Sequence, residues 1–203
     1  FIGHPIFHIK KINIKNRYKY IAFLPGSREN EIKKLFKYFD FIEKYIYEND
    51  LKWKIFIPTL PHLNSLIKKR TSSWKTETLI SNNYKYFDKY YDDVFISITC
   101  SGTASLEIAK RNIPQIVIYK LNMFTELILK LVVKVRYACI LNIISNKMII
   151  PEITNSNLNC SRLLKNFVKL IDDEKFRSDQ INSINSNLHF IEAEKSPYDV
   201  SAE

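Results

Sequence analysis

Glycine is the residue type that this sequence most nearly lacks. The 203-residue chain contains 3 glycines, whereas average usage would give roughly fourteen. A chain that has lost most of its glycines is expected to keep the remainder where the backbone tolerates no Cβ. Gly3, Gly26 and Gly102 therefore mark the first positions to inspect.

Cysteines and long apolar runs are also scarce. The three cysteines are widely spaced and odd in number, which supports neither a disulfide framework nor a zinc site. The longest apolar run, at 127–135, is interrupted by Lys130 and Lys134 and is too broken for a spanning helix. The first residues lack the order of a signal peptide. A globular protein of the reducing cytoplasm is the expectation.

Acidic residues are outnumbered, with 31 Lys and Arg against 21 Asp and Glu and a formal net charge of +10. Such an excess suits nucleic acid, an anionic membrane or a phosphorylated substrate. Abundant Lys, Asn, Ile, Tyr and Phe also form the pattern that an A+T-rich coding bias produces. Because no motif of a recognised nucleic-acid module is present, no nucleic-acid partner is expected.

Apolar runs alternate with amphipathic ones along the chain. The runs at 20–25, 53–58, 78–80, 94–99 and 114–119 are typical of buried strands. Helical spacing is found at 29–45, after Pro61, at 84–91, from Thr103 onward, at 124–135, at 158–171 and at 174–187. The repeated order predicts one α/β domain, a Rossmann-like parallel sheet with helices on both faces.

The stretch TCSGTASLEIAK at 99–110 surrounds one of the glycines. A strand that ends near Ser101, then Gly102, then a helix from Thr103 places N–H groups and the positive end of the helix dipole at the sheet's carboxyl edge. Phosphate binds well in such a place, and Glu107, one turn on, can accept hydrogen bonds from a ribose. The same residues also fit a structural turn, with Ser101 as N-cap and Glu107 solvated.

The stretch FLPGSRENEI at 23–32 repeats this arrangement at another strand end. Gly26 turns the chain, and Ser27 can cap the following helix. Glu31 can complete a capping box or lie on the exposed face of that helix. Arg28 offers a planar fork for a diphosphate or a carboxylate, although it also fits a surface arginine.

Several short motifs together resemble the lipid-A-disaccharide synthase family. They are FIGHP at 1–5, LPGSR at 24–28, SGTASLE at 101–107, PQIVIY at 114–119, LNI at 141–143 and PE at 151–152. Their order and spacing cover nearly the whole chain. The family consists of bacterial inverting glycosyltransferases with two Rossmann domains (GT-B type), and the match is to the C-terminal domain.

The resemblance implies transfer of a 2,3-diacylglucosaminyl group from its UDP derivative to 2,3-diacylglucosamine 1-phosphate, which releases UDP. It also implies that this chain is the donor-binding half, with the interdomain crossover at 1–17 and C-terminal helices at about 157–190. The acceptor-binding N-terminal half, with the general base, is expected to be missing from the chain. The chain alone is therefore expected to be inactive.

Carried over to this sequence, Gly102 and Thr103 would meet the UDP diphosphate, and Glu107 would bind the ribose. Arg28 would neutralise charge on the departing UDP, beside Gly26 and Ser27. No Asp-x-Asp motif is present, so no metal and no cofactor are expected.

Two further positions are carried over by the resemblance. Asn142 matches an active-site asparagine, although Leu141 replaces the usual proline before it, and Asn155 stands where the family has glutamine. His4 is expected to be a hinge residue. The basic amphipathic helix expected at 123–136 fits both a helix packed on the sheet and one that contacts the inner-membrane surface.

Two alternative functions remain open. A UDP-N-acetylglucosamine 2-epimerase, or another UDP-sugar enzyme of the same architecture, would use a similar glycine-led helix and glutamate. An inactive donor-binding fragment would keep the same turns without any turnover.

Overall fold

The computed structural model describes residues 19–100, 102–120 and 137–188 of the chain. Four of the sequence-based expectations fall outside these ranges. They concern the crossover at 1–17 with His4, Ser101, the amphipathic helix at 123–136, and the end of the chain after 188.

Six strands form one sheet. They are β1 (Tyr20–Leu24), β2 (Lys54–Pro58), β3 (Thr78–Ser81), β4 (Val94–Cys100), β5 (Gln115–Tyr119) and β6 (Glu152–Thr154). The central strands consist mainly of β-branched and aromatic residues, as expected where both faces of a parallel sheet are covered.

Seven α-helices are described in these ranges. They are α1 (Glu29–Glu48), α2 (Asn64–Thr71), α3 (Phe87–Tyr91), α4 (Thr103–Lys110), α5 (Ile140–Ser145), α6 (Cys160–Asp172) and α7 (Glu174–Leu188). None of these helices has both the length and the apolar character needed to cross a bilayer.

All the strand pairs are parallel, in the order β3-β2-β1-β4-β5-β6. This is the strand order of a doubly wound Rossmann sheet. The order reverses between β1 and β4, where Leu24 pairs with Thr99. The loops that follow these two strands therefore leave the sheet side by side, and ligands of such sheets bind in the crevice between them.

Helices cover both faces of the sheet, because successive side chains of a strand point in opposite directions. Ile21 and Phe23 of β1 belong to one apolar cluster with α1, α2 and α6. Ala22 and Leu24 belong to another cluster, which α3 and α4 complete. Helices α5 and α7 pack with α4 over Val117 of β5. The expected fold class is thereby confirmed.

The structure differs from the sequence-based expectations in several places, among them α5, a helix that was not expected at 140–145. β6 was not expected, and it pairs with β5 from Val117 and Glu152 onward. A strand of 3 residues is too short to show a period. The tyrosine-rich stretch is a 3₁₀ turn (Tyr84–Tyr86) followed by α3, and α1 continues to Glu48.

Candidate functional site

Gly26 lies two residues after the end of β1, in a conformation that L side chains rarely adopt. Its φ is +111°, and a Cβ built there would lie 3.1 Å from Glu31 Oε2 and 3.5 Å from Cys100 Sγ. The glycine therefore permits a left-handed turn and a close approach of the chain to the ends of β4 and α1.

Arg28 occupies the N-cap position of α1, and its side chain makes no cap bond. The expected cap by Ser27 is therefore wrong, and so is the capping box with Glu31. Instead, Arg28 Nη1 lies 3.0 Å from Glu31 Oε1, and the arginine side chain is 79% exposed. Ser27 is exposed as well, so this turn presents a hydroxyl and a guanidinium to solvent.

Gly102 forms the equivalent turn after β4. Its φ is +135°, and a Cβ built there would have no atom within 4 Å. Both described glycines thus have a positive φ, but only Gly26 is also crowded. Ser105 Oγ donates to Gly102 O at 2.8 Å, which holds the first turn of α4. The N–H groups of a first turn have no intrahelical acceptor, and in α4 that turn contains the exposed Thr103.

One cavity of about 430 Å³ lies between the two turns. Gly26, Ser27, Arg28 and Glu31 line it on the β1 side, and Gly102, Thr103, Ala104 and Glu107 line it on the β4 side. The remaining wall is supplied by Leu24, Pro25, Pro58, Thr59, Leu60, Tyr84, Phe87, Tyr91 and Cys100. The fold therefore brings the two glycine motifs of the sequence together at the switch point of the sheet.

Glu107 supplies a carboxylate on the β4 side of this cavity, and its side chain is 27% exposed. Burial raises the pKa of the Glu107 carboxyl, while the charge and hydrogen bond of Arg111 lower that pKa. Arg111 Nη2 lies 3.4 Å from Glu107 Oε1. Arg111 was not expected at this site, although its position four residues after Glu107 is the spacing at which helical side chains form ion pairs.

The charges of the cavity are arranged by sign. The first turn of α4 offers positive potential on one side of the cleft, and Arg28, paired with the Glu31 carboxylate, lies on the other side. Glu107 offers an acceptor one turn further along α4. Such an arrangement suits a ligand that carries phosphate at one end and hydroxyl groups beside it.

Asn142 lies outside the cavity lining and is fully buried. Its Nδ2 donates to Ile150 O at 2.8 Å and to Glu152 Oε2 at 3.0 Å. Its Oδ1 accepts from the backbone N–H groups of Ile149 and Ile150, both at 2.9 Å. This side chain therefore holds the loop before β6, and its contact with a substrate stays a prediction.

Asn155 is also absent from the cavity lining. It begins a short 3₁₀ turn after β6 and has a φ of +50°. The structure does not bring it together with Glu107 and Arg28, so the expected donor contact from this loop stays a prediction.

Within the described ranges, no group of three or more His, Cys, Asp or Glu is arranged to hold a metal ion. The metal-free site likewise stays a prediction.

A larger depression of about 790 Å³ lies between α1, α2 and the loop at 73–75. Charged surface side chains such as Lys33, Lys69 and Glu48 line it. No strand end and no helix N-terminus contributes to it, so the chemistry expected from the sequence lies in the smaller cavity.

The chain matches the family model of lipid-A-disaccharide synthetase over residues 1–201. The lipid-A-disaccharide synthase of Wigglesworthia glossinidia brevipalpis is 32% identical, and the match covers 86% of this chain and 49% of that protein. The enzyme of Rickettsia conorii is 30% identical, with 89% and 42% covered. That of Rickettsia felis is 30% identical, with 100% and 55% covered.

Solved structures of similar fold share little sequence with the chain. TarM has a TM-score of 0.59 at 11% identity, covering 95% of this chain and 36% of that one. MnaA of S. aureus with UDP has a TM-score of 0.51 at 18% identity, covering 88% and 42%. The C-terminal domain of a group 1 glycosyl transferase, LpcC of Francisella tularensis, has a TM-score of 0.53 at 10% identity, covering 87% of both chains. These likenesses concern the fold alone.

The chain spans about half the length of the curated relatives that it matches. The family model, in contrast, extends over almost all of its 203 residues. The chain belongs to the lipid-A-disaccharide synthetase family.

Proposed function

We propose that the chain is the donor-binding half of a glycosyltransferase of lipid A biosynthesis. One observation carries this proposal: the turns at Gly26 and Gly102 open into the same cavity, at the point where the strand order reverses. Nucleotides bind Rossmann sheets at this point. The family match supports the identity of the enzyme, and the cavity supports the role of this half.

The diphosphate of a UDP-sugar would bind at the first turn of α4. Nothing lies within 4 Å of a Cβ position on Gly102, so a phosphate can approach the main chain there. The N–H groups of that turn and the helix dipole would stabilise its negative charge. Thr103 is exposed beside them and can donate its hydroxyl.

The ribose would bind at Glu107, which lies one turn along the same helix. An ionised carboxylate only accepts hydrogen bonds, so it suits the two hydroxyl donors of a ribose. Its position in the cavity wall agrees with this role.

Arg28 would act on the leaving group. Its guanidinium is exposed at the rim of the cavity, where only Glu31 pairs with it among the residues described. As the sugar–phosphate bond breaks, negative charge grows on the UDP oxygens, and a positioned guanidinium stabilises that charge. No metal is needed for this step.

The complete reaction would need a second, acceptor-binding half. The proposed donor is UDP-2,3-diacylglucosamine, and the proposed acceptor is 2,3-diacylglucosamine 1-phosphate. Their sugars would be joined by attack of the acceptor hydroxyl, with UDP as the leaving group and the general base supplied by the other half. The chain alone would bind the donor and produce no disaccharide.

Titration of the 203-residue chain with UDP, followed by amide NMR, tests the site. We expect the resonances of Gly26, Gly102, Thr103 and Ala104 to shift together and to saturate. Glu107→Gln should weaken binding. Glu77→Gln, at an exposed residue just before β3 and outside the cavity lining, should leave binding unchanged. If UDP leaves these amides unmoved, the proposed function is wrong.

A donor panel separates this function from that of a related UDP-sugar enzyme. We expect tighter binding of UDP-2,3-diacylglucosamine than of UDP-N-acetylglucosamine. Selective binding of UDP-N-acetylglucosamine would favour an epimerase or another transferase. Disaccharide formation by this chain alone would overturn the proposed division of the reaction between two halves.

A further inference from the structure

A buried cation lies behind the wall of the cavity. Arg111 follows α4 directly and is 4% exposed, although it carries a full charge. A buried guanidinium is costly unless carboxylates surround it. The groups that surround the Arg111 guanidinium therefore indicate its role.

Two carboxylates and one aromatic ring surround this guanidinium. Nη1 lies 2.7 Å from Asp88 Oδ1, and Nη2 lies 3.4 Å from Glu107 Oε1. The Arg111 Cζ atom lies 4.3 Å from the centre of the Tyr91 ring, the distance of a cation–π contact. Asp88 and Tyr91 both belong to α3, so one side chain links α3 to the cavity-facing carboxylate of α4.

The two partners of Arg111 differ in exposure. The Asp88 side chain is 64% exposed and meets solvent, whereas Glu107 is 27% exposed and lines the cavity. Tyr91 is 1% exposed, so the ring forms a fixed support under the guanidinium. The Asp88 pair and the ring thus hold Arg111 in place, and its second nitrogen is left facing Glu107.

We propose that Arg111 is the positioning residue for recognition of the nucleotide's ribose: its guanidinium pairs with the Glu107 carboxylate and keeps it turned toward the cavity, so that Glu107 accepts hydrogen bonds from the ribose hydroxyls. This inference rests on the proposed function and deepens it. Arg111 acts through Glu107 and contacts no ligand itself.

The charged and titratable groups that face Glu107 are Arg111, Asp88 and Tyr91. Burial and Asp88 raise the pKa of the Glu107 carboxyl, and Arg111 lowers it. Burial raises the pKa of Tyr91 well above its usual value, so its hydroxyl stays neutral. Removal of Arg111 would leave only influences that raise the Glu107 pKa. As the pH falls, Glu107 would then take up its proton, and ribose recognition would be lost, at a higher pH than in the native chain.

The test compares UDP with its 2′,3′-dideoxy analogue in the 203-residue chain and in the variants Arg111→Gln and Arg111→Lys. The measured quantity is the ratio of the two dissociation constants between about pH 5 and pH 8. Because both ligands carry the same diphosphate, titration of the phosphate cancels in this ratio. Arg162→Gln, an exposed arginine on α6, serves as the control.

In Arg111→Gln we expect the preference for the ribose to fall about three- to tenfold at neutral pH. The preference should return toward the native value as the pH rises and Glu107 ionises. Arg111→Lys keeps the charge and should retain most of the preference. In a Glu107→Gln background, the loss of Arg111 should change the ratio no further.

If Arg111→Gln still binds UDP and its ratio and pH profile are unchanged, the inference is wrong. A loss of preference that stays constant up to high pH and that Arg111→Lys does not rescue would also overturn it, because a merely structural role predicts that result. If Arg111→Gln fails to fold, a native ratio and pH profile in Arg111→Lys combined with a pH-independent ratio in Glu107→Gln supports the inference. Failure of the native chain to bind UDP instead refutes the proposed function.

Discussion

The side-chain amide of Gln180 pairs with the backbone of Gln115 through two hydrogen bonds. Gln180 Oε1 accepts from Gln115 N at 2.7 Å, and Gln180 Nε2 donates to Gln115 O at 3.0 Å. Both residues are buried. The side-chain amide of Gln180 on α7 thus satisfies the backbone N–H and C=O of Gln115, the first residue of β5, as a neighbouring strand would.

The side chain of Gln115 extends this network toward the cavity. Its Nε2 donates to Ser105 O at 2.8 Å, and its Oε1 accepts from Thr99 Oγ1 at 2.9 Å. Ser105 lies in the first turn of α4, and Thr99 lies next to the end of β4. A glutamine pair outside the cavity lining therefore helps to fix the turn at Gly102.

Gln180→Leu should destabilise the chain strongly. The leucine fills a similar volume but leaves the buried N–H and C=O of Gln115 without these partners, which costs about 2–4 kcal/mol. Chemical unfolding monitored by circular dichroism measures this loss. Asn185→Leu, the same amide replacement at an exposed position of α7, should change the free energy of unfolding by less than about 0.5 kcal/mol. Equal effects of the two variants would contradict the assignment.

The alternation of apolar strands and amphipathic helices could be predicted because period and burial are local properties of the sequence. The hydrogen-bonded pairing of Gln115 with Gln180 could not be predicted. A polar residue in a buried strand has no periodic signal, and its partner lies 65 positions away in the sequence. β6 escaped prediction for a related reason: its pairing with β5 defines it, and its 3 residues do not.

The two described glycines should respond differently to a methyl group. Both have a positive φ, so Gly26→Ala and Gly102→Ala should each lower the free energy of unfolding by about 1–3 kcal/mol. Gly26→Ala should also displace the Glu31 side chain, because the new Cβ would lie 3.1 Å from Glu31 Oε2. This end of the side chain can move, so the additional cost should stay below about 1 kcal/mol. Thermal unfolding of the two variants provides the comparison.

The effect of Gly102→Ala on UDP binding should be separate from its effect on stability. At Gly102 the added methyl group enters open space beside the proposed phosphate position, so Gly102→Ala should weaken UDP binding about tenfold. A variant that is destabilised but binds UDP normally would show that the phosphate does not approach this residue. Calorimetric titration below the unfolding transition separates the two effects.

The scarcity of glycine was an informative signal, since both described glycines occupy backbone conformations that favour glycine. The roles of neighbouring residues were harder to predict. Asn142 lies in a matching motif, but its four described side-chain hydrogen bonds go to the loop before β6 and to Glu152, the first residue of β6. Arg111 belongs to no motif that the sequence could show. Its expected role depends on contacts with Asp88 and Tyr91, which belong to another helix.

Arg28 should contribute to the binding of the diphosphate in a salt-dependent manner. Its side chain is 79% exposed, so solvent and salt screen its charge, and Arg28→Ala should weaken UDP binding only about three- to tenfold at low ionic strength. The difference from the native chain should shrink as salt is added. Arg162→Ala, on the exposed face of α6, serves as the control. Weakening of uridine binding to the same extent would argue against a phosphate contact, since uridine carries no phosphate.

Tyr84 should stack on the base of the nucleotide. Its ring is 58% exposed and lines the cavity, with the Phe87 ring centre 4.9 Å from its own. A base stacked on an aromatic ring is worth about 1–3 kcal/mol. Tyr84→Ala should therefore weaken UDP binding about tenfold and leave the binding of inorganic pyrophosphate unchanged.

Tyr86 offers a matched control for this prediction. It lies two residues further on, its ring is 53% exposed, and it is absent from the cavity lining. Tyr86→Ala removes the same ring from the same 3₁₀ turn and should leave both affinities unchanged. Competition titrations with UDP and pyrophosphate on both variants give the four constants required. If Tyr84→Ala weakens both ligands alike, the ring supports the shape of the cavity and does not contact the base.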